Sequence, residues 1–184
     1  NFRKFTGLSM LGNGAWQGTY AGNWGENGPS FHMNSHLRRF HVNQGNIREV
    51  SLDMTLENEQ LNLLASVDDK LLGGGCALSY DMNDTLSFVS AKGQLNFYDL
   101  GVLGFGVNTG TETAGAVFNL VRAGQADKSF FNLTLTDLRY TNENGAFSVD
   151  NLCIEDSRYQ EHSTTILKSD IFDISIEGNF WDIR

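Results

Sequence analysis

Apolar and polar residues alternate with a period of two along much of this chain. Val50, Leu52, Met54 and Leu56 alternate with Ser51, Asp53, Thr55 and Glu57. Cys76, Leu78 and Tyr80 do so with Ala77 and Ser79, and Phe131, Leu133 and Leu135 continue the theme. Near the end, Phe172, Ile174 and Ile176 alternate with Ile171, Asp173 and Ser175. Side chains on a strand point alternately to its two faces, so each stretch predicts a half-buried strand. The run LNLLASV at 61–67 is largely apolar and reads as a short helix or a buried strand. Asn144-Gly145, between RYT and AFSV, predicts a tight antiparallel hairpin. Together these signals predict an all-β fold, an antiparallel Ig-like or jelly-roll β-sandwich of about eight to ten strands. Leu52, Met54, Leu78, Tyr80, Phe88, Phe118, Leu133 and Leu135 are its expected core.

The order of the central pieces carries a resemblance. LSYD is followed by a polar turn at Asp81, Asn83 and Asp84, then LSFVSA-K-G, a glycine-bearing loop, FNLVRAG and FNLTLTDL. This resembles the cohesin-type sandwich modules of extracellular proteins over roughly residues 45–152. The resemblance implies an Ig-like sandwich that docks other proteins. It does not extend to residues 1–44, rich in glycine and aromatics, or to the loop and strand at 157–184. We therefore expect one domain over 1–184, with a sandwich core at 45–156 and an extension at each end.

Composition narrows the class. Twenty glycines against one proline suit short strands joined by tight turns. Twenty-two acidic against thirteen basic residues give a net charge of -9, which disfavours nucleic acid and anionic membrane surfaces. No apolar run reaches the roughly 20 residues of a helical membrane span, and no membrane insertion is expected. The first residue is Asn, which fits a chain trimmed at its start or freed of a secretion leader. An extracellular or cell-surface location follows as the expectation. Cys76 and Cys153 are open to two readings, a disulfide closing a long loop or two free thiols.

Candidate chemistry is sparse. Trp16, Tyr20 and Trp24 recur every four residues in a glycine-rich stretch that argues against helix. They suit sugar stacking, a partner's groove, or plugging one end of the fold. His32, His36 and His41 cluster beside Arg38 and Arg39. On a strand, His32 and His36 stand about 13 Å apart on one face, too far for one metal ion, so they read as surface residues. Asp81, Asn83 and Asp84 offer oxygens to calcium, the one cofactor considered, or simply form a turn. Asn83 and Asn132 open N-x-S/T sequons. No nucleophile stands in a G-x-S-x-G setting, and no enzyme is expected.

The leading expectation is a non-catalytic extracellular structural subunit that assembles by strand addition, as a fibre, pilus-like filament or surface coat. Phe2, Phe5 and Leu8 at one end, and Ile171, Phe172, Ile174, Ile176, Phe180 and Trp181 at the other, are the expected assembly residues. Its partners would be copies of itself or another surface protein. The alternative is a cohesin-like or carbohydrate-binding recognition module.

Overall fold

The computed structural model describes residues 11–25, 28–82, 87–104, 112–125, 128–160 and 162–177. It is almost entirely antiparallel β and consistent with a sandwich-like all-β fold. The strands are β1 Leu11–Gly25, β2 Gly28–Val42, β3 Gly45–Ile47, β4 Val50–Glu57, β5 Gln60–Asp68 and β6 Leu72–Asp81. β7 Ser87–Phe97, β8 Thr113–Gln125, β9 Lys128–Asn142, β10 Gly145–Tyr159, β11 His162–Ser169 and β12 Asp173–Glu177 follow. A single turn of helix, α1 (Leu100–Leu103), lies between β7 and β8. All twelve strands join one sheet in chain order, with the short β3 paired to β2 beside the main path. The run at 61–67 is strand β5, and the glycine-rich N-terminal stretch supplies the fifteen-residue strand β1.

Most connections are short hairpins between sequence neighbours; β4 instead pairs with β2 past the short β3, and the β7–β8 connection holds α1. Asn58 and Glu59 both take positive φ, 49° and 64°, the two-residue turn that suits the twist of a hairpin. The Asn144-Gly145 hairpin is present between β9 and β10, and Asn142 Oδ1 accepts the Asn144 N–H at 2.9 Å. Between β11 and β12, Ser169 Oγ accepts the N–H groups of Ile171 and Phe172, each at 3.1 Å. Ile171 and Phe172 thus lie in a turn, and β12 begins at Asp173 rather than at Ile171. Glycine is required at two places where β6 meets β7. Gly74 has φ +131°, and a Cβ there would strike Gln94 O; a Cβ on Gly93 would strike Gly75 O.

The deepest packing lies at one end of the sheet. Val42, Ile47, Leu71 and Leu103 are buried together, with Phe40, Val50, Val67, Phe97 and Val102 packed against them. α1 closes this cluster. Asp99 caps it, its Oδ1 accepting the Val102 N–H at 2.9 Å, and Gly104 ends it in the left-handed region. The Gln44 N–H then reaches Val102 O at 3.3 Å and ties the helix to the β2–β3 turn. Of the expected core residues, Leu52, Met54, Leu78, Tyr80, Phe118, Leu133 and Leu135 are half-buried. Phe88 is a correction: it lies on the other face and is 39% exposed. Leu103→Ala should cost about 2 to 5 kcal/mol, whereas Leu64→Ala, on the exposed face, should stay within about 0.5 kcal/mol. Urea unfolding of both variants checks the contrast.

Candidate functional site

In-register pairing turns the alternation of single strands into two chemically opposite faces. Residues directly opposite one another in an antiparallel pair share a face. Following partners from strand to strand therefore traces a row across the sheet. One such row reads Tyr20, Met33, Met54, Leu63, Leu78, Ala91, Leu120, Leu133, Ile154, Leu167 and Ile174. It is apolar at all eleven positions and spans the sheet, about 48 Å at the usual strand spacing. The next row on this face begins with Gly18, Ser35, Leu52, Ala65, Cys76 and Gly93, so small side chains lie beside large ones. Ser35 is buried, and a Cβ on Gly18 would come within 2.7 Å of its Cβ. The large residues of the long row are half-buried from Met33 to Leu167, and exposed at its ends in Tyr20 and Ile174.

Charge appears on the described apolar face near one end, the end opposite the buried cluster. A cavity of about 530 Å³ there is lined by Val89, Leu120, Arg122, Phe131, Asp156 and Arg158 among others. Its walls come from five consecutive strands, β7 to β11. Asp156 Oδ1 accepts the buried Thr165 hydroxyl at 2.7 Å, and Arg158 Nε donates to Gln160 O at 3.2 Å. The cavity thus has a mixed lining, with the apolar Val89, Leu120 and Phe131 beside the exposed Arg122 and Arg158 and the Asp156 carboxylate.

The opposite face is polar. Along β2 and β4 it carries Asn34 Nδ2 donating to Asp53 Oδ2 at 3.0 Å, and His32 Nε2 at 3.5 Å from the same oxygen. His36 Nε2 lies 2.9 Å from Glu49 Oε2, and its Nδ1 lies 2.9 Å from Ser51 Oγ. A carboxylate only accepts, so Nε2 carries a proton in this pair. Asn34 holds the Asp53 carboxyl below the ordinary aspartate range; desolvation opposes this, and His32 adds to it. A groove of about 570 Å³ lies on this face beside Asn34, Asp53, Leu64, Ser66 and Lys92. Among the described residues no group of three metal-ligating side chains forms. The acidic partners of His32 and His36 were not foreseen from sequence, since each comes from a segment whose register only pairing fixes.

The remaining sequence candidates separate. Tyr20 and Trp24 are 82% and 83% exposed on the edge strand β1; Trp16 pairs in register with Leu37. Asp81 ends β6 opposite Gln60, while Asn83 and Asp84 lie outside the described residues. Asn132 is half-buried in β9 and donates to Glu155 Oε1 at 3.2 Å. Ile171 is 64% exposed in its turn, and Ile174 and Ile176 lie on β12; Phe2, Phe5, Leu8, Phe180 and Trp181 fall outside the described residues. The disulfide is a correction. Cys76 and Cys153 are both free. Cys76 belongs to the apolar face of β6 and Cys153 to the polar face of β10, with three strands between them. No protein-family model, curated protein or solved structure matches this chain.

Two measurements follow. Thiol labelling of denatured, unreduced protein should find two reactive sulfhydryls per chain, and none would restore the bridge. In an NMR titration Asp53 should titrate below the ordinary aspartate range, and Asn34→Ala should move it upward. The sign is that of a depressed carboxyl: its stabilising effect is present above the unfolded value and lost as pH falls through the folded one.

Proposed function

We propose that this chain is a non-catalytic structural segment whose extended apolar sheet face holds the hydrocarbon chain of an anionic amphiphile. The observation that carries the reading is the row from Tyr20 to Ile174, apolar on each of the eleven strands it crosses, half-buried from Met33 to Leu167 and exposed at its two ends. An apolar surface of this length gains free energy from any occupant that removes it from water, by about 25 cal/mol per Å² covered. A linear alkyl chain needs no hydrogen bonds, and it suits a row whose neighbour on the same face starts with Gly18 and Ser35 and, beyond Leu52, continues with the small Ala65, Cys76 and Gly93. Arg122 and Arg158, at the margin of the cavity that ends this face, supply the donors for a carboxylate or phosphate head. The polar face, with its His32–Asp53 and His36–Glu49 pairs, faces water.

A second reading is favoured by the sheet's margins. Among the described residues β1 and β12 each have one neighbour, and an edge strand of this kind is where another strand can add. Assembly by strand addition, with copies of this chain or with another surface protein, is compatible with the first reading, since it lengthens the apolar face.

A fluorescent long-chain fatty acid tests the first reading. Wild-type protein should bind it saturably, Leu78→Asp on the apolar face should weaken binding at least tenfold, and Ser79→Asp on the polar face should not. Arg122→Ala should weaken binding of the acid more than of the matching alcohol. Equal binding by the two aspartate variants, both folded by circular dichroism, overturns the proposal.

A further inference from the structure

Among the described residues, β1 differs from every other long strand in being both an edge of the sheet and uncharged. From Leu11 to Gly25 it contains no Asp, Glu, Lys or Arg. Edge strands are ordinarily blunted by charge, proline or brevity. β12 at the other margin has this protection: it is five residues long and carries Asp173 and Glu177.

The sequence of β1 is also self-complementary. At alternate positions it reads Trp16, Gly18, Tyr20, Gly22 and Trp24, the same in both directions about Tyr20. An antiparallel neighbour runs backwards, so a second copy of this strand presents the same alternation of large and absent side chains. We infer that β1 pairs with β1 of a second copy across a two-fold axis at Ala21, forming a closed dimer. In this register Tyr20 lies opposite the partner's Gly22 and Trp24 opposite the partner's Gly18. Each exposed aromatic ring then covers a glycine, a pairing that stabilises strands whose glycines lack side-chain contacts. The small Ala21 meets its own copy on the other face.

The axis is perpendicular to the sheet and leaves the apolar face of both copies on the same side. In the joined sheet the Tyr20 row of each copy meets the other copy's row through Gly22, Phe31, Leu56, Leu61 and Tyr80, so the two apolar faces adjoin. The outer margins of this sheet are the two short, charged β12 strands, so pairing through β1 closes on itself and gives a dimer instead of a filament. This inference rests on the assembly reading and names its edge and its partner.

The test uses the full chain with Cys76→Ala and Cys153→Ser. Light scattering should show a dimer, and Ala21→Lys, which sets two like charges against each other at the axis, should weaken it at least tenfold. Under mild oxidation Ala21→Cys should cross-link as a covalent dimer, while Thr19→Cys, which has no copy of itself opposite, should not. A monomer at all concentrations, with no cross-link from Ala21→Cys, overturns both the inference and assembly. Oligomers that persist in Ala21→Lys but are lost in Ile174→Lys overturn the inference alone and leave assembly through β12.

Discussion

The backbone ladder between neighbouring strands is the constraint on which everything else depends. In most domains a buried core fixes the fold and the hydrogen bonds follow. Here the deep cluster of Val42, Ile47, Leu71 and Leu103 occupies one end, and most large apolar residues elsewhere are half-buried. Register must therefore be held by the ladder and its turns. A slip of one residue between β4 and β5 would move Leu61, Leu63, Ala65 and Val67 to the polar face. The two-residue turn at Asn58 and Glu59, with both φ values positive, prevents that slip more cheaply than packing does.

The same ladder explains how far the sequence was legible. Period-two alternation is local, so β4, β6, β9 and most of β12 could be read directly, as could the hairpin at Gly145. β5 was ambiguous because Leu63 and Leu64 are adjacent and apolar, although only Leu63 belongs to the apolar row; Leu64 is 59% exposed. Phe88 misled for a related reason. It sits beside Val89 in LSFVSA, and only the pairing of Val89 with Tyr80 assigns Val89, not Phe88, to the apolar face. Glycine content obscured β1, whose strand character depends on β2 pairing along its length and not on its own propensity.

The candidate surfaces were less legible than the strands. A row from Tyr20 to Ile174 contains one residue per strand, so its members are separated by loops of differing length and form no motif. The pairing of His36 with Glu49 and of His32 with Asp53 has the same origin: both depend on the β2–β4 register across the β3 excursion. The disulfide expectation failed on this account too. Cys76 and Cys153 occupy strands of similar pattern, but parity puts them on opposite faces, a property invisible until every intervening register is known.

Two opposite faces on one sheet impose a physical division of labour. A twisted sheet with one apolar side must either bury that side or leave it as a surface for something else. Gly74 and Gly93 let β6 and β7 pair where a side chain would strike the neighbouring backbone, and a cavity at Val89, Leu120 and Phe131 lies farther along the apolar face. The apolar rows are covered in part without being sealed: Met54, Leu63, Leu78 and Leu133 are half-buried instead of buried. A sealed core would gain stability and lose the surface. The chain has its sealed cluster at the α1 end, where Asp99 and Gly104 fix the helix, and leaves the length of the sheet open. Deep packing and open apolar surface thereby lie on different parts of one continuous ladder, and an occupant that bound only the folded sheet would stabilise it by an amount that rises with the logarithm of its concentration over its dissociation constant.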